Sequence, residues 1–434
     1  MQSRLIVKNF GPIDFVDLDL RNVNVFIGPQ ASGKSALAKL YTIFKAPRKF
    51  IKNFEVKENQ EKLFKNILEE YNIVSFLKIN SEIIFESELH SLSYKLGEIV
   101  YEAKLFKKIE EVEILVKDFA KNREIIKDKI LQICKTFILL RARAEVYFID
   151  KGEKQNELTL GDMKEFVNLS LENCKIIIGF IKETDEHLSS NTSLYIPAER
   201  NFINIIKNAA LNLQLNNVPI PKNILSFGAE LEKASIKEID LGFIRKDLIF
   251  KNINGEDRIF INKIDSIKLT EAASGVQSVL PILIPILSKK NSYQHSSFVI
   301  EEPELNLFPL AQYELIKLLE SSRLNVQTSE DAGTIHTYTT HSPYILSALN
   351  NLLYASKVSE KLLKKGTPII KVYDTLGKII SAEIDPDNFT AYQLFDGKAE
   401  SIFNREAGLI DDNYIDEASD KMADDFDALM ELMK

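Results

Sequence analysis

A short loop near the amino terminus constrains the fold more than any other part of the sequence. It reads GPQASGKS and lies between a strand-like run, residues 23–27, and a helix-like run, residues 35–40. The spacing G-x-x-x-x-G-K-S lets backbone amides and a helix N-terminus surround phosphates, with the lysine on the β and γ phosphates and the serine hydroxyl on Mg²⁺. The flanking elements favour a P-loop over a chance glycine turn. The predicted ATP-binding residues of this loop are Gly28, Pro29, Gln30, Ala31, Ser32, Gly33, Lys34, Ser35 and Ala36.

Composition excludes several broad classes of protein. With 434 residues, 45% of them hydrophobic, the chain is long enough for about two or three domains with real cores. Its longest apolar run, residues 279–287, contains two prolines and is too short to cross a bilayer, and no signal-peptide pattern is present. Cys134 and Cys174 lack a metal-ligand spacing and favour a reducing compartment. These features predict a cytoplasmic protein with no membrane partner.

The net charge of −8 is unevenly distributed. Residues 407–434 carry nine acidic and two basic residues, a net charge of −7. Residues 45–65 carry seven basic and three acidic residues, a net charge of +4. The overall charge argues against a nucleic-acid-binding surface that covers the whole protein. The basic segment fits a phosphate-binding patch as well as a solvated helix face, so nucleic-acid binding stays possible.

Hydrophobic periodicity divides the chain into a head and an insertion. Alternation with period two over residues 15–20 predicts a small antiparallel sheet beside the P-loop strand, within a head formed by residues 1–45 and 192–360. Residues 46–191 contain few Gly or Pro and place apolar residues at helical spacing, so a large helical insertion is expected. Examples of these apolar residues are Ile99, Val100, Ala103, Leu105 and Ile109.

Turn signals predict two hairpins in the second half of the chain. The first hairpin joins residues 248–250 to residues 258–261 through a turn at Asn254-Gly255. The second is predicted over residues 369–384, with its turn at Gly377. Together with an acidic helical tail, the second hairpin is expected to form a carboxyl-terminal segment, residues 361–434.

Two adjacent carboxylates follow an apolar run in the sequence FVIEEPE, residues 298–304. A carboxylate at the end of a strand can hold Mg²⁺, and the next one can orient or deprotonate an attacking water molecule. We therefore assign Glu301 to the metal and Glu302 to catalysis. Apolar strands that end in acidic residues are common, and most of these acids have no role in catalysis. The functional assignment of Glu301 and Glu302 therefore depends on the presence of a P-loop in the same chain.

Two further motifs complete the predicted site. Ser274-Gly275 begins an apolar helix, and a helix N-terminus with a hydroxyl can bind a γ-phosphate, although the pair is also typical of an ordinary N-cap. A predicted strand, residues 334–340, is followed by His341, and ligands bind at the carboxyl ends of strands in α/β sheets. His341 is therefore a candidate partner for a γ-phosphate or an attacking water, with a structural histidine as the alternative.

Taken together, these motifs resemble the ABC-type ATPase heads of the SMC, RecF and OLD branch of AAA family ATPases. The resemblance is carried by KNFGPI, GPQASGKS, ASGVQS, VIEEPELNLFP and TTHSP, in that order along the chain. It implies an α/β P-loop fold, in which helices flank a mixed sheet with an antiparallel N-terminal β-subdomain. It also implies Mg²⁺-dependent hydrolysis of ATP by a homodimer or higher homo-oligomer. Two heads would enclose two ATP molecules, so that Ser274 and Gly275 of one subunit close over the P-loop of the other.

The resemblance extends to residues outside the main motifs. Asn306 corresponds to the D-loop, and Glu199 or Arg200 in YIPAER corresponds to the Q-loop, with a salt bridge between domains as the alternative. Glu301 stands where relatives commonly carry Asp. The signature reads Ala-Ser-Gly-Val-Gln rather than the transporter form, which favours the SMC and OLD side of the group.

Stand-alone heads of this kind resemble the ATPase subunits of bacterial anti-phage systems. OLD-type nucleases add a metal-dependent Toprim domain, but the segment after His341 is expected to be too short for one. A separate effector, a nuclease or a toxin, is therefore expected to act in trans. The competing interpretation is a RecF-like repair or recombination ATPase that acts directly on DNA. A transporter subunit is disfavoured by the signature and by the large insertion.

Overall fold

The computed structural model describes most of the predicted head and almost all of the carboxyl-terminal segment. The described residues are 2–47, 50, 60–88, 90–104, 125, 129, 193–206, 213, 215–218, 220–234, 236–288, 297–323 and 334–433. Cys134, Cys174 and most of the range 46–191 lie outside these residues. None of the described helices is long and apolar enough to cross a bilayer.

The described chain contains seventeen strands and nine α-helices. The strands are β1 (Ser3–Phe10), β2 (Ile13–Leu20), β3 (Val23–Ile27), β4 (Leu77–Ser87), β5 (His90–Lys95), β6 (Glu98–Ala103), β7 (Ser193–Ile196), β8 (Glu238–Asp240), β9 (Ile249–Ile253), β10 (Glu256–Phe260), β11 (Ser266–Lys268), β12 (Ser297–Glu301), β13 (Ile335–Thr339), β14 (Phe389–Phe395), β15 (Lys398–Ser401), β16 (Phe403–Asn404) and β17 (Leu409–Ile410). The helices are α1 (Lys34–Lys45), α2 (Gln60–Glu70), α3 (Phe202–Ile206), α4 (Lys222–Lys233), α5 (Ser274–Ser288), α6 (Pro309–Arg323), α7 (Pro343–Lys364), α8 (Ile369–Gly377) and α9 (Tyr414–Glu431).

A mixed sheet of eleven strands forms the centre of the fold, in the order β6-β5-β4-β1-β2-β15-β14-β3-β13-β12-β7. Strands β14, β3, β13, β12 and β7 are mutually parallel. Strands β1, β2, β4, β5 and β6 pair in an antiparallel manner. The expected mixed sheet with an antiparallel N-terminal part is therefore confirmed. The parallel arrangement brings the carboxyl ends of β3, β12 and β13 to one edge of the sheet, where ligands bind in α/β folds.

Both faces of the parallel strands are buried by helices. Side chains alternate between the faces along each strand. Val25 and Ile300 pack in the core cluster that includes residues of α5, α6 and α7. Phe26 and Val299 pack in a second cluster, which includes residues of α1 and α2. This two-sided burial explains why every residue of β3 and β12 is buried and why most of them are apolar, without an alternation of apolar and polar residues.

A separate antiparallel sheet, in the order β11-β10-β9-β8, packs beside the main sheet. Its central hairpin turns at Asn254 and Gly255, whose φ angles are 52° and 87°. Such positive values are typical of a two-residue hairpin turn, so the first predicted hairpin is confirmed. Phe250 from this sheet lies in one core cluster with Leu280 of α5.

The prediction of an entirely helical insertion over residues 46–191 is wrong for residues 77–103. These residues form β4, β5 and β6, which extend the main sheet beyond β1. Ile99 and Val100 are not on one helical face, because Ile99 is 4% exposed and Val100 is 60% exposed. Successive side chains of a strand point to opposite faces of the sheet. The apolar residues predicted beyond Lys104 lie outside the described residues.

The prediction of a hairpin over residues 369–384 is also wrong. Residues 369–377 form α8, because their apolar side chains follow a helical repeat that the strand interpretation overlooked. The carboxyl-terminal hairpin is β14–β15 instead, and it turns at Asp396-Gly397 with φ angles of 45° and 72°. Because β14 pairs with β3, the carboxyl-terminal segment contributes to the sheet of the head. The acidic helical tail is confirmed as α9.

Candidate ATP-binding and hydrolysis site

The loop between β3 and α1 has the geometry of a phosphate-binding loop. Gly28 has a φ angle of 143°, and a Cβ atom there would lie 2.3 Å from the carbonyl oxygen of Leu394 in β14, so no larger residue fits. Gly33 caps α1, whose first turn has no acidic residue and no side-chain cap. The first N–H groups of a helix have no partner within it and carry partial positive charge. The start of α1 therefore offers an anion site.

Lys34 is a buried cation within this loop, with an exposure of 6%. Its Nζ donates hydrogen bonds to the carbonyls of Gly28 and Pro29, both at 2.8 Å. Burial lowers the pKa of Lys34 to about 8, although nearby carboxylates, with Glu302 the strongest, act in the opposite direction. It forms no ion pair within the described chain. A desolvated cation without a bound carboxylate can accept a phosphate as its counterion.

Glu301, the last residue of β12, is the most buried carboxylate of the site, with an exposure of 3%. Burial raises its pKa, an effect that hydrogen bonds from Tyr195 and Ser35 partly oppose. Its Oε1 has no hydrogen-bond partner. Mg²⁺ prefers oxygen ligands, and one carboxylate combined with a hydroxyl and phosphate oxygens is a common set. The donors at Glu301 and Ser35 therefore fit a Mg²⁺ ion bound together with a nucleotide.

Glu302 and His341 face each other beside Lys34. The backbone N–H of Glu302 donates to Thr339 at 2.9 Å, and its φ angle of 43° is unusual for a residue with a side chain. Oε1 of Glu302 lies 3.8 Å from Nε2 of His341, and both side chains are about one-third exposed. Burial and the neighbouring Lys34 lower the pKa of His341. A strained backbone that holds a solvent-accessible carboxylate beside a neutral imidazole suits a water-activating pair.

The guanidinium group of Arg200 binds the main chain of Glu301 and Glu302. It is fully buried, and it donates hydrogen bonds to the carbonyls of Glu301 at 2.6 Å, Glu302 at 2.8 Å and Ser278 at 2.8 Å. Burial lowers its pKa to about 10. Arg200 therefore binds main-chain carbonyls, and among the described residues it does not form the salt bridge that the sequence left open. Glu199, its neighbour, is exposed.

Glu304 is a site residue that the sequence analysis missed. Its Oε1 accepts hydrogen bonds from the Thr340 hydroxyl at 2.7 Å and from the His341 backbone N–H at 2.8 Å. Burial raises its pKa, and its Oε2 has no hydrogen-bond partner. Glu304 therefore ties the loop after β12 to the loop after β13. The third acid of the EEPE sequence was the available signal.

The match to a family model decides the classification of the chain. A family described as AAA ATPase domain matches residues 1–346, a range that contains the P-loop, both adjacent acids and His341. The chain belongs to this AAA ATPase family. No curated protein sequence matches it significantly.

Solved structures similar to this AAA ATPase include SMC head domains. One is the Smc head domain with an extended coiled coil bound to the C-terminal domain of ScpA from Pyrococcus furiosus, with 11% identity, a TM-score of 0.37, and coverage of 92% of this chain and 95% of that chain. Another is the SMC head domain from Thermotoga maritima, with 10% identity, a TM-score of 0.36, and coverage of 92% and 98%. These values are too low to support a conclusion about fold or function.

Ser274 and Gly275, the residues predicted to form the signature, lie at the start of α5, beside the loop after β12. A Cβ atom at Gly275 would lie 2.6 Å from the carbonyl oxygen of Asn306, so glycine permits this close approach. The side chain of Asn306 donates to the Ser278 hydroxyl at 2.9 Å. No hydrogen bond joins Ser274 or Gly275 to residues 28–36 within the described chain. Thus the fold brings Lys34, the two acids and His341 together, while the signature is held by the loop of Asn306.

The described part of the AAA ATPase contains no cluster of three or more His, Cys, Asp or Glu residues that could hold a metal ion alone. A cation at Ser35 and Glu301 would therefore take its remaining ligands from water and phosphate oxygens, as Mg²⁺ commonly does in nucleotide sites.

Proposed function

We propose that this AAA ATPase hydrolyses ATP with Mg²⁺ at the carboxyl ends of β3, β12 and β13. The observation that carries the proposal is that the site contains both a buried carboxylate with an unpartnered oxygen and a buried cation without an ion pair among the described residues. Among the described residues, Oε1 of Glu301 has no hydrogen-bond partner, and Nζ of Lys34 donates hydrogen bonds only to the carbonyls of its own loop. Magnesium and phosphate, respectively, satisfy these two groups.

Each residue of the site has a defined part in this reaction. Lys34 would leave its two loop carbonyls and bind the β and γ phosphates, together with the N-terminus of α1. Ser35 and Glu301 would hold Mg²⁺, which neutralises charge on the phosphate oxygens when bound. Glu302 would orient or deprotonate the attacking water, and His341 would donate a hydrogen bond to the γ-phosphate or accept one from that water.

We infer that a complete site requires a second copy of the chain. Ser274 and Gly275 have no hydrogen bond to the P-loop of their own chain in the described residues, so they are available to another P-loop. Apolar side chains near these motifs face solvent: Phe308 is 78% exposed, Leu310 64% and Tyr344 49%. Exposed apolar residues beside a polar site are typical of a protein interface.

The biological role rests on the sequence resemblance. We propose a sensor or scaffold subunit of an anti-phage system, with a separate nuclease or toxin as effector. The alternative is a RecF-like ATPase that acts directly on DNA. Binding of duplex DNA that weakens steeply with salt and stimulates ATP hydrolysis would favour the alternative. Co-purification with a neighbour-encoded effector in a defined stoichiometry would favour the first role.

Substitution of the two adjacent acids tests the assignment of their roles. Glu302→Gln preserves shape and leaves Glu301 in place, so ATP should bind and persist in a nucleotide-bound dimer. Single-turnover hydrolysis and light scattering measure both effects. If Glu301→Gln accumulates ATP in this way and Glu302→Gln turns over normally, the two roles are reversed.

A mixing experiment tests the shared site. Ser274→Arg places a bulky cation at the γ-phosphate of the opposing subunit, so it should reduce turnover without reducing nucleotide affinity. Lys34→Ala should abolish turnover at its own P-loop. A mixed dimer of the two variants contains one site with both residues intact, so partial recovery of activity is expected on mixing. Normal activity of Ser274→Arg alone would exclude the shared site.

A further inference from the structure

Helix α9 carries an apolar stripe that the described chain does not cover. None of its residues is buried, although the helix is well formed and begins with a capping box at Asn413. The stripe, hereafter the α9 stripe, recurs every three or four residues and therefore lies on one face of the helix. Its residues are Met422 (66% exposed), Phe426 (62%), Leu429 (63%) and Met430 (52%), and Met433 (88%) follows in the turn after the helix ends.

The remaining surface of α9 is strongly acidic. Residues 414–431 contain seven acidic residues and one lysine, a net charge of −6. A solvated helix with this charge needs no apolar face, and large exposed apolar side chains in a row mark an interaction site. The α9 stripe therefore requires a partner surface that is apolar at its centre and basic at its edge.

A second surface of the same chain has this chemistry. Helix α8 buries only Val372, and it leaves an apolar surface, hereafter the α8 surface, open to solvent. The residues of the α8 surface are Ile369 (55% exposed), Ile370 (74%), Tyr373 (56%) and the adjacent Ile379 (74%). Residues 361–380 contain five lysines and one acid, a net charge of +4. The exposed lysines of this segment are Lys361, Lys364, Lys365, Lys371 and Lys378.

We propose that the α9 stripe of one protomer docks on the α8 surface of a second copy of the chain. Charge complementarity identifies the occupant, because a net charge of −6 meets a net charge of +4 around two apolar centres. A helix that lays its apolar face on an exposed apolar surface is a common recognition mode.

The start of α9 is fixed to its own head, which favours a partner in trans. The backbone N–H of Tyr414 donates to Gln393 at 3.2 Å, and the Tyr414 ring contacts Phe395 with centroids 5.9 Å apart. From this anchor the helix continues for 18 residues without burying a side chain. A regular helix of that length spans about 27 Å, so it can reach a neighbouring molecule.

This interface is separate from the proposed ATP-dependent contact, so it is tested without nucleotide. Sedimentation velocity of the full chain in low salt should show a concentration-dependent dimer that dissociates as salt rises. Phe426→Asp combined with Met430→Asp should weaken the dimer at least about tenfold, because it places two carboxylates at the apolar centre of the contact. Both side chains are exposed in the protomer, so the fold of the protomer is expected to survive. A dimer of unchanged affinity would overturn the proposal, as would a wild-type protein that stays monomeric at every concentration.

Charge reversal tests the electrostatic part of the contact, with a matched control at other exposed lysines. Lys371→Glu with Lys378→Glu should weaken the dimer at least about tenfold, and Asp424→Lys with Asp425→Lys should do the same. A mixture of these two double variants should recover association, because a mixed dimer has one contact between the unsubstituted α9 and α8 and a second contact in which the reversed residues face each other. Lys246→Glu with Lys263→Glu changes the charge equally at exposed positions far along the chain and should leave the dimer unchanged. Failure of the mixture to recover would overturn the proposal.

Crosslinking identifies the contact itself. Equal amounts of ¹⁴N-labelled and ¹⁵N-labelled protein are mixed and treated with a carbodiimide, which joins lysines to carboxylates in direct contact. The expected products are mixed-isotope peptides that join lysines of residues 361–378 to acids of residues 416–431. Links between these segments within one chain only, or dominant association between two α9 helices, would overturn the proposal.

Discussion

Two carboxylate clusters lie at opposite ends of β12 and β13, and they differ in how their oxygens are satisfied. At the carboxyl end, Glu301 is buried with one oxygen unpartnered, and burial raises its pKa. At the amino end of β13, Glu320 of α6 is also fully buried, but both of its oxygens are bound. Tyr338 donates to Oε1 at 2.7 Å, His336 contacts the same oxygen at 3.0 Å, and Arg323 donates to Oε2 at 2.8 Å.

The contrast separates a structural cluster at the amino end from the candidate functional cluster at the carboxyl end. Burial alone would raise the pKa of Glu320, but Arg323 and the hydrogen bonds of His336 and Tyr338 lower it to about 2. At Glu301 the hydrogen bonds from Tyr195 and Ser35 and the charge of Lys39 do not overcome the effect of burial, and within the described residues its Oε1 has no hydrogen-bond partner. Burial of a carboxylate therefore does not identify a ligand site by itself. A buried carboxylate oxygen without a hydrogen-bond partner is the better indication of a ligand site.

The largest expected effect is the loss of stability on Glu320→Gln. This change leaves Arg323, which is 5% exposed, as a buried charge without its partner. Breaking one side of a buried ion pair costs about 3–5 kcal/mol of unfolding free energy. Denaturant unfolding measures the loss, and ATP turnover per folded molecule should stay close to that of the wild type.

The double variant Glu320→Gln/Arg323→Met is the control for this prediction. It removes the charge that the single variant strands, so it should lose less stability than Glu320→Gln. If Glu320→Gln instead reduces turnover while stability stays unchanged, the amino-end cluster is functional and the comparison fails.

The converse effect is expected at the other end of the strands. Glu301→Gln removes the charged oxygen proposed to bind Mg²⁺, and loss of one preorganised electrostatic group lowers turnover about 10²- to 10³-fold. Stopped-flow phosphate release at saturating Mg²⁺ and ATP measures the change. Glu301→Asp keeps a carboxylate at the end of β12, so it is the matched control and should retain most of the activity. Equal losses in both variants would contradict a ligand role.

The functional cluster was largely predictable from the sequence, because its residues are close together in short motifs. The P-loop, Glu301 and Glu302 each follow a continuous apolar run, and the parallel arrangement of β3, β12 and β13 brings the ends of these runs together. The spacing of residues within each motif, and the rule that ligands bind at the carboxyl ends of parallel strands, were sufficient to propose the site. The roles of its residues in hydrolysis stay predictions.

The structural cluster was not predictable in this way, because its members come from separate elements and match no motif. Glu320 and His336 are joined only when α6 packs on β13. Arg200 was noted in the sequence, but its bonds to main-chain carbonyls depend on the positions of β12 and α5. The strands of residues 77–103 were missed for a local reason, since Val100 is an apolar residue on the exposed face of β6.

Lys34, the basic residue of the cluster at the carboxyl ends of the strands, should make ATP binding depend on pH. The pKa of Lys34 is lowered to about 8 by burial, and a bound phosphate would favour its charged form. ATP affinity should therefore change little between about pH 7 and pH 8 and fall about tenfold per pH unit above pH 8. Calorimetry in two buffers with different ionisation enthalpies should show proton uptake on ATP binding at pH 9.

Lys34→Arg is the control for this pH effect, because arginine stays charged throughout the range. Its ATP affinity can be lower overall, but it should not decline with pH between 8 and 9.5. A decline of equal steepness in this variant would assign the titration to another group.

The smallest expected effect is a gain of stability in the nucleotide-free Glu301→Gln protein. Because burial raises the pKa of Glu301, the folded state holds its charged form less favourably than the unfolded state does. The wild type should therefore become more stable relative to the variant as pH falls through the raised pKa, and less stable above it. At pH 8 without Mg²⁺ or ATP, we expect Glu301→Gln to be more stable by about 1 kcal/mol, since a neutral amide removes a buried charge. Mg²⁺ with ATP should reverse this order, because the bound ligands stabilise only the carboxylate form. A variant that is less stable than the wild type without ligands would mean that the carboxylate of Glu301 is already satisfied, as that of Glu320 is.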